Sequence, residues 1–400
     1  RKTGKGIFSV SSAGLQTNRD AWVYNPNESE LRNNVARMVN FYNKQVDSFQ
    51  KYCHENSIIK PTSRTASNFI DYDSTKISWS SSLISNIQRG AKGKLSDQKF
   101  RQGIYRPFCK QHVYFDDIFN HRPGSLPSIF PSPEEKNFGF YITGMGSDRP
   151  FSTCMVDQIP DLAFWGSSNG QFFSRYTYRE TGSGDDLFSS SEEPGMERLD
   201  NITDAALTDY RQTYGPEVSK DDIFYYVYGL LHSPDYRNQF AADLKKSLPR
   251  IPKVTDFQSF VEAGRELAKL HIGYEGVQPY PLEEKVDDSA PDSLEELYRV
   301  QKMRFKSKDD RSTIVYNSWV TVSGVPERAY RYQLGARSAI EWIIDRYQVK
   351  TDKASGIVND PNDWSEDPRY IVDLLGRIVT VSLETLDIVE ELPPMEILDA

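Results

Sequence analysis

The sequence predicts a mixed α/β protein, α+β in kind, in which a strand-rich lobe precedes a mainly helical scaffold lobe. Three observations carry that expectation. "FGFYIT" (138–143), "PFSTCMV" (150–156) and "GQFFSRYTY" (170–178) are short runs of aromatic and β-branched residues, which pack well on a pleated surface. Beyond residue 200, apolar residues recur at helical spacing behind Ser and Asp caps. A polar stretch at 180–200, read as a linker or exposed insertion, separates the two patterns. The predicted division is an N-terminal helical or connecting segment at 1–60, a strand-rich lobe at 61–200 and a helical scaffold at 201–400, with a small strand insertion near 298–335.

In chain order, "GLQTNRDAWVYNPN" (14–27) reads as a turn and an extended approach, with Arg19 and Asp20 in a local ion pair and Trp22 buried. Asn27, with Glu30 three residues on, opens a helix in capping-box fashion. Leu31, Val35, Met38, Tyr42, Val46 and Phe49 then form one apolar stripe. Residues 62–85, rich in Ser and Thr, read as loop plus short strands, and 86–122 as loops and strands with a Gly144–Gly146 turn further on. Ser219 with Asp222 caps "DDIFYYVYGLLH", which is apolar on nearly every face and should be buried. Ser233-Pro234 starts a helix with Lys245 and Lys246 near its far end, and Thr255 starts another that stops at Gly273. An acidic loop at 281–296 and strands near 313–322 follow. Ser338 with Glu341 caps the next helix, and Asp367-Pro368 begins the last.

Bulk properties exclude several classes. With 12% aromatic and 38% hydrophobic residues, 400 residues make a folded protein with a sizeable core. No apolar run approaches the roughly 18 residues of a membrane span, so no membrane partner is expected. Three scattered cysteines, Cys53, Cys109 and Cys154, suit a reducing cytoplasm. A start at Arg1 suggests a piece of something longer. The net charge of −9 is uneven: residues 1–150 hold 21 Lys/Arg against 13 Asp/Glu, and residues 151–400 hold 27 against 44. A basic first third on an acidic remainder points to a polyanion-binding face.

Catalytic signatures are missing. The chain has no GxxxxGK[ST] phosphate loop, no GxSxG elbow and no HExxH, and "GMG" (144–146) is not a dinucleotide fingerprint. "NPNE" and "NDPNDW" lack the paired prolines of an amino-methyltransferase loop. Cys109, His112 and His121 match no common zinc spacing, so no metal is expected. Most informative is the aromatic-interleaved stretch 86–122, with eight Lys/Arg against three Asp; 298–337 is a second basic segment. The candidate nucleic-acid face is Arg89, Lys92, Lys94, Lys99, Arg101, Arg106, Lys110 and Arg122, with Lys302, Arg304, Lys306 and Lys308 from the second segment. Arg19 is a further backbone contact, and glycines 90, 93 and 103 would let the chain approach a duplex closely.

"GLQTNRDAWVYN", "YRPFCKQHVYFD", "PFSTCMVDQIPDL", "KDDIFYYVYGLLHSPDYR", "LKKSLPRIP", "AGRELAKLH" and "IEWIIDRYQVKTDKASGIVNDPNDW" occur in this order. Together they resemble the C-terminal specificity region of type ISP single-polypeptide restriction-modification enzymes, from about residue 7 to 390. The resemblance implies a target-recognition region that reads a specific double-stranded DNA sequence for an adenine-N6 methyltransferase and an ATP-dependent nuclease. It implies that the methyltransferase and helicase-nuclease domains belong to the same polypeptide, in the cytoplasm. S-adenosylmethionine, ATP and Mg would then serve those domains, with no cofactor in this chain. It transfers no base contacts. The alternative is a scaffold or coupling module that organises the catalytic domains without touching bases.

Overall fold

A computed structural model describes residues 6–166, 170–181 and 195–398. It is a mixed α/β structure of several small sheets among helices. The opening stretch enters a four-stranded sheet ordered Tyr24–Asn25, Cys109–Tyr114, Phe100–Arg106, Ile159–Pro160, antiparallel except for the last pairing. A three-stranded sheet has Gly139–Thr143 at its centre, between Thr153–Val156 and Gly170–Ser174. Tyr176–Glu180 pairs with Met196–Asp200; of the predicted polar insertion at 180–200, residues 182–194 lie outside the described residues. Further on, Glu283–Val286, Val320–Ser323, Ile314–Val315 and Arg304–Phe305 form a second four-stranded sheet.

The helix Glu28–Glu55 buries the predicted stripe whole. Asn27 accepts from the Glu30 backbone N–H, so half of the expected box is present. Full capping boxes form at Ser219/Asp222 and Ser338/Glu341; Ser233 caps behind Pro234, and Gly273 closes Phe257–Ile272. Several expectations need correction. Residues 62–85 are not loop and strand: they hold the helices Ser63–Phe69 and Ser81–Gln88. The hydroxyls that suggested loop are their caps, Thr62 accepting from Thr65 N–H and Ser80 from Leu83 N–H. Trp22 sits in a short helical turn, Asp20–Val23, rather than an extended approach. Asp256, not Thr255, caps Phe257–Ile272, because its carboxylate reaches Ser259 N–H. The helix after Ser233 breaks at Phe240 into Pro234–Gln239 and Ala241–Leu244. The last helix starts at Tyr370, and the acidic loop contains a strand, Glu283–Val286, that pairs with Val320–Ser323.

Two apolar clusters hold the fold. One joins the opening stretch, the first helix and the first sheet to residues 298–381, so chain on both sides of the 180–200 segment shares a core. The other centres on Lys220–His232 and Phe257–Ile272, packed on Phe140, Ile142 and Met155. Those two helices cross at glycines: a Cβ on Gly229 would lie 2.1 Å from Phe260 O, and one on Gly264 would lie 1.9 Å from Tyr225 O. Gly229→Ala is therefore expected to push the pair apart and cost on the order of 1–3 kcal/mol, read from urea unfolding. An unchanged midpoint would show that the helices separate freely.

Candidate nucleic-acid interface

The opening stretch is pinned residue by residue. Gly14 is required because a Cβ there would lie 2.4 Å from Asp161 O. Leu15 N–H donates to Pro160 O, and Leu15 O accepts from Leu162 N–H; Gln16 O accepts from the His121 and Arg122 N–H groups. Asn18 then turns the chain at φ +57. The expected Arg19–Asp20 ion pair is not what forms. Arg19 is buried, and its guanidinium donates to Thr17 O (3.0 Å), Ser78 O (3.1 Å), Ser80 Oγ (2.7 Å) and Phe119 O. Burial pushes it down to about 10 even with Asp116 close by. Asp20 instead accepts from the Thr17 and Tyr105 hydroxyls. The stretch is a clamp that ties three segments together.

Most cations of the first basic segment are engaged by partners within the fold or at its surface. Arg106 is buried with its Nη1 2.6 Å from Asp161 Oδ1. Lys110 pairs with Glu275 at 2.6 Å, Lys92 with Asp47 at 2.7 Å, and Lys99 with buried Asp116. Arg101 donates to the Phe130 and Ser132 carbonyls, and burial lowers it. Arg89 donates to Asn86 Oδ1. Two of the expected glycines also face inward: a Cβ on Gly93 would strike the Phe119 ring, and Gly103 packs on Ile159 O. Lys94 and Arg122 remain exposed, with no ion pair among the described residues. The second segment contrasts with the first. Lys302, Arg304, Lys306 and Lys308 are all exposed, again with no ion pair among the described residues.

Two clefts of about 490 and 520 Å³ share Asp20, Ala21 and Asp352. Gln16, bridged to Arg122, lines the first, and Gln348, bridged to Lys302, lines the second. The first runs over Gln16–Trp22; the second is walled by Gln111, Gln348 and the ribbon Lys350–Thr351/Val358–Asn359. The ribbon is held from both sides. Asn25 Nδ2 donates to Val358 O (3.1 Å) and Ser74 Oγ to Ala354 O (2.9 Å), while Asp352 accepts from Ser355 N and Oγ within the tip. Arg346, Lys350 and Lys353 line the second cleft, although segment charge did not single them out. For Lys353 the signal was the "TDKASG" turn (351–356), whose Gly356 takes φ +74. Among the described residues no group of three His, Cys, Asp or Glu is placed to hold a metal, and no helix is long and apolar enough to cross a membrane.

The family description "Type ISP C-terminal specificity domain" matches residues 6–374. The chain belongs to this family. Solved structures agree with the specificity-domain assignment. The chain is similar to a nuclease-deletion mutant of the Type ISP restriction-modification enzyme LlaGI in complex with a DNA substrate mimic (39% identity, TM-score 0.84, 99% of this chain and 29% of that one). It is similar to the ATP-dependent Type ISP enzyme LlaBIII bound to DNA (32%, 0.84, 100% and 24%) and to DrdV in a DNA complex (31%, 0.80, 99% and 37%). This specificity domain thus spans well under half of each structure it matches. No curated protein matches it.

Proposed function

We propose that this chain recognises a specific duplex DNA sequence on behalf of an adenine-N6 methyltransferase and an ATP-dependent nuclease in one cytoplasmic polypeptide. S-adenosylmethionine, ATP and Mg would serve those other domains. One observation carries the reading for this chain: it has a specificity-domain fold whose second basic segment, Lys302, Arg304, Lys306 and Lys308, is wholly exposed and, among the described residues, free of ion pairs. Lys302, Arg304, Lys306, Lys308 and Arg122 are the phosphate anchors, with Lys94 further out. Arg19, Arg106 and Lys110 act behind them by fixing the loops. The internal pairing of most cations in 89–110 favours a second reading, a scaffold that organises the catalytic domains without touching bases.

Selection of the chain against a randomised duplex pool separates the two. Enrichment of one motif supports recognition; uniform weak binding supports the scaffold. Replacing Lys302, Arg304, Lys306 and Lys308 by Gln should weaken binding to every sequence. The log–log salt slope should flatten by about 0.9 for each phosphate anchor removed. An unchanged slope would remove these four from the interface.

A further inference from the structure

We propose that the 350–359 ribbon is the base-reading element, with Gln111 and Asn359 hydrogen-bonding base edges in the major groove and Lys350 and Lys353 holding the flanking phosphates. This rests on the reading of the chain as a DNA-recognition domain and names where that recognition happens.

Hydrogen bonding sets the two carboxamides apart. Asn25, Asn120, Asn137 and Asn201 each spend theirs on backbone carbonyls. Gln111 and Asn359 line both the second cleft and a smaller one beside it, and their side chains make no hydrogen bond among the described residues. A carboxamide offers a donor and an acceptor side by side, the pattern that pairs bidentately with adenine N6 and N7. Both side chains are partly exposed at the cleft, so their donors and acceptors are open to an incoming base edge.

Shape and charge agree. A two-stranded ribbon fits the major groove, which is roughly 12 Å wide. This one stands clear of the surface, with Lys350, Thr351, Lys353 and Val358 exposed, yet its tip and root are tied down at Ala354 and Val358. Such anchoring limits the ordering entropy lost on binding. Val358, about half exposed, is the apolar group that a thymine methyl would meet. The cleft wall carries Lys350 and Lys353 beside Asp20 and Asp352; Arg346 is paired with Asp345, Asp352 is engaged by Ser355, and Asp20 accepts from the Thr17 and Tyr105 hydroxyls, so the two lysines are the cations left to meet a phosphate. Burial, with Arg346 nearby, lowers the Lys350 ammonium although Asp345 pulls it the other way. Lys302, bridged to Gln348, continues the phosphate track from the second basic segment into this wall.

The test selects the 400-residue chain and its variants on a randomised duplex pool, with affinities then measured on the enriched duplex and its single-base-pair changes. Gln111→Ala and Asn359→Ala are each expected to lose about tenfold or more of the discrimination at one base pair while preference elsewhere stays. Lys353→Ala should weaken all duplexes alike. Where an alanine variant lowers the thermal midpoint, Gln111→Glu and Asn359→Asp keep the shape, remove the amide donor and should abolish the same preference. If the wild-type chain enriches a motif and the carboxamide variants keep it in full, or lose affinity with no loss of discrimination, the ribbon does not read bases. It would then face another domain of the polypeptide. A wild-type chain that enriches no motif overturns the recognition reading itself.

Discussion

Arg106→Met is expected to destabilise the fold by about 3–5 kcal/mol, the usual consequence of removing one partner from a buried ion pair. The guanidinium lies 2.6 Å from Asp161 Oδ1 and stacks 3.9 Å over the Tyr105 ring, so charge and packing are lost together. Burial pushes the Asp161 carboxyl up to about 7, and Arg106 pulls it the other way. Without the arginine, Asp161 must take a proton or stay charged in an apolar site. Either outcome disturbs the Ala163 N–H that donates to it and the 160–162 backbone on which Leu15 rests. Urea unfolding of the single variant and of Arg106→Met/Asp161→Asn is the measurement. The double variant should recover most of the loss, because it leaves no orphaned charge. A single-variant loss below about 1 kcal/mol would show that the pair is not what holds the opening stretch.

The same pair shows how far the sequence could be read. Periodicity located the first helix because Leu31 through Phe49 repeat at spacings that only a helix turns into one face. Capping residues placed Ser219, Ser233 and Ser338 correctly because a cap is a local hydrogen bond three residues long. Residues 62–85 were misread for the same reason: Thr62 and Ser80 look like loop until the short helices behind them are seen. Charge was less legible. "YRPFCK" shows two cations, but the acids that claim them, Asp161 and Glu275, lie 55 and 165 residues away in sequence. Net charge by segment therefore overstated the first basic stretch. Across 302–308, by contrast, no acid folds back onto the cations among the described residues. The groove itself was hidden, because Gln111 and Asn359 meet only through the sheet and the ribbon. Neither carries a charge that composition would register.

Acidification from about pH 7 to about pH 5 is expected to remove about 4 kcal/mol of stability through two buried histidines. His271 Nδ1 faces the Tyr228 hydroxyl at 2.5 Å, and its Nε2 lies 2.9 Å from Thr385 Oγ1 and 3.1 Å from the Tyr332 hydroxyl. Tyr228 takes a hydrogen bond from Met155 N–H, so it donates to Nδ1, and the imidazole sits neutral with its proton on Nε2. Burial pushes His271 down to about 3 and His232, 5.6 Å away ring to ring, well below its usual 6.5. The sign follows from proton counts. Below about 6.5 the unfolded chain binds both protons and the folded chain binds neither, so stability falls with falling pH. Each histidine costs about 1.4 kcal/mol per pH unit, or about 2 kcal/mol at pH 5. Asp161, raised to about 7, adds stability as pH falls over the same range, so the histidine part is read from urea midpoints at the two pH values in wild type and His271→Gln. His271→Gln should cut the acid-induced part by about half, whatever it costs at neutral pH. The same acid-induced change in wild type and His271→Gln would mean that the folded protein accepts the His271 proton, and that the Tyr228–His271–Thr385 network between the helices Lys220–His232, Phe257–Ile272 and Tyr370–Glu390 does not require a neutral ring.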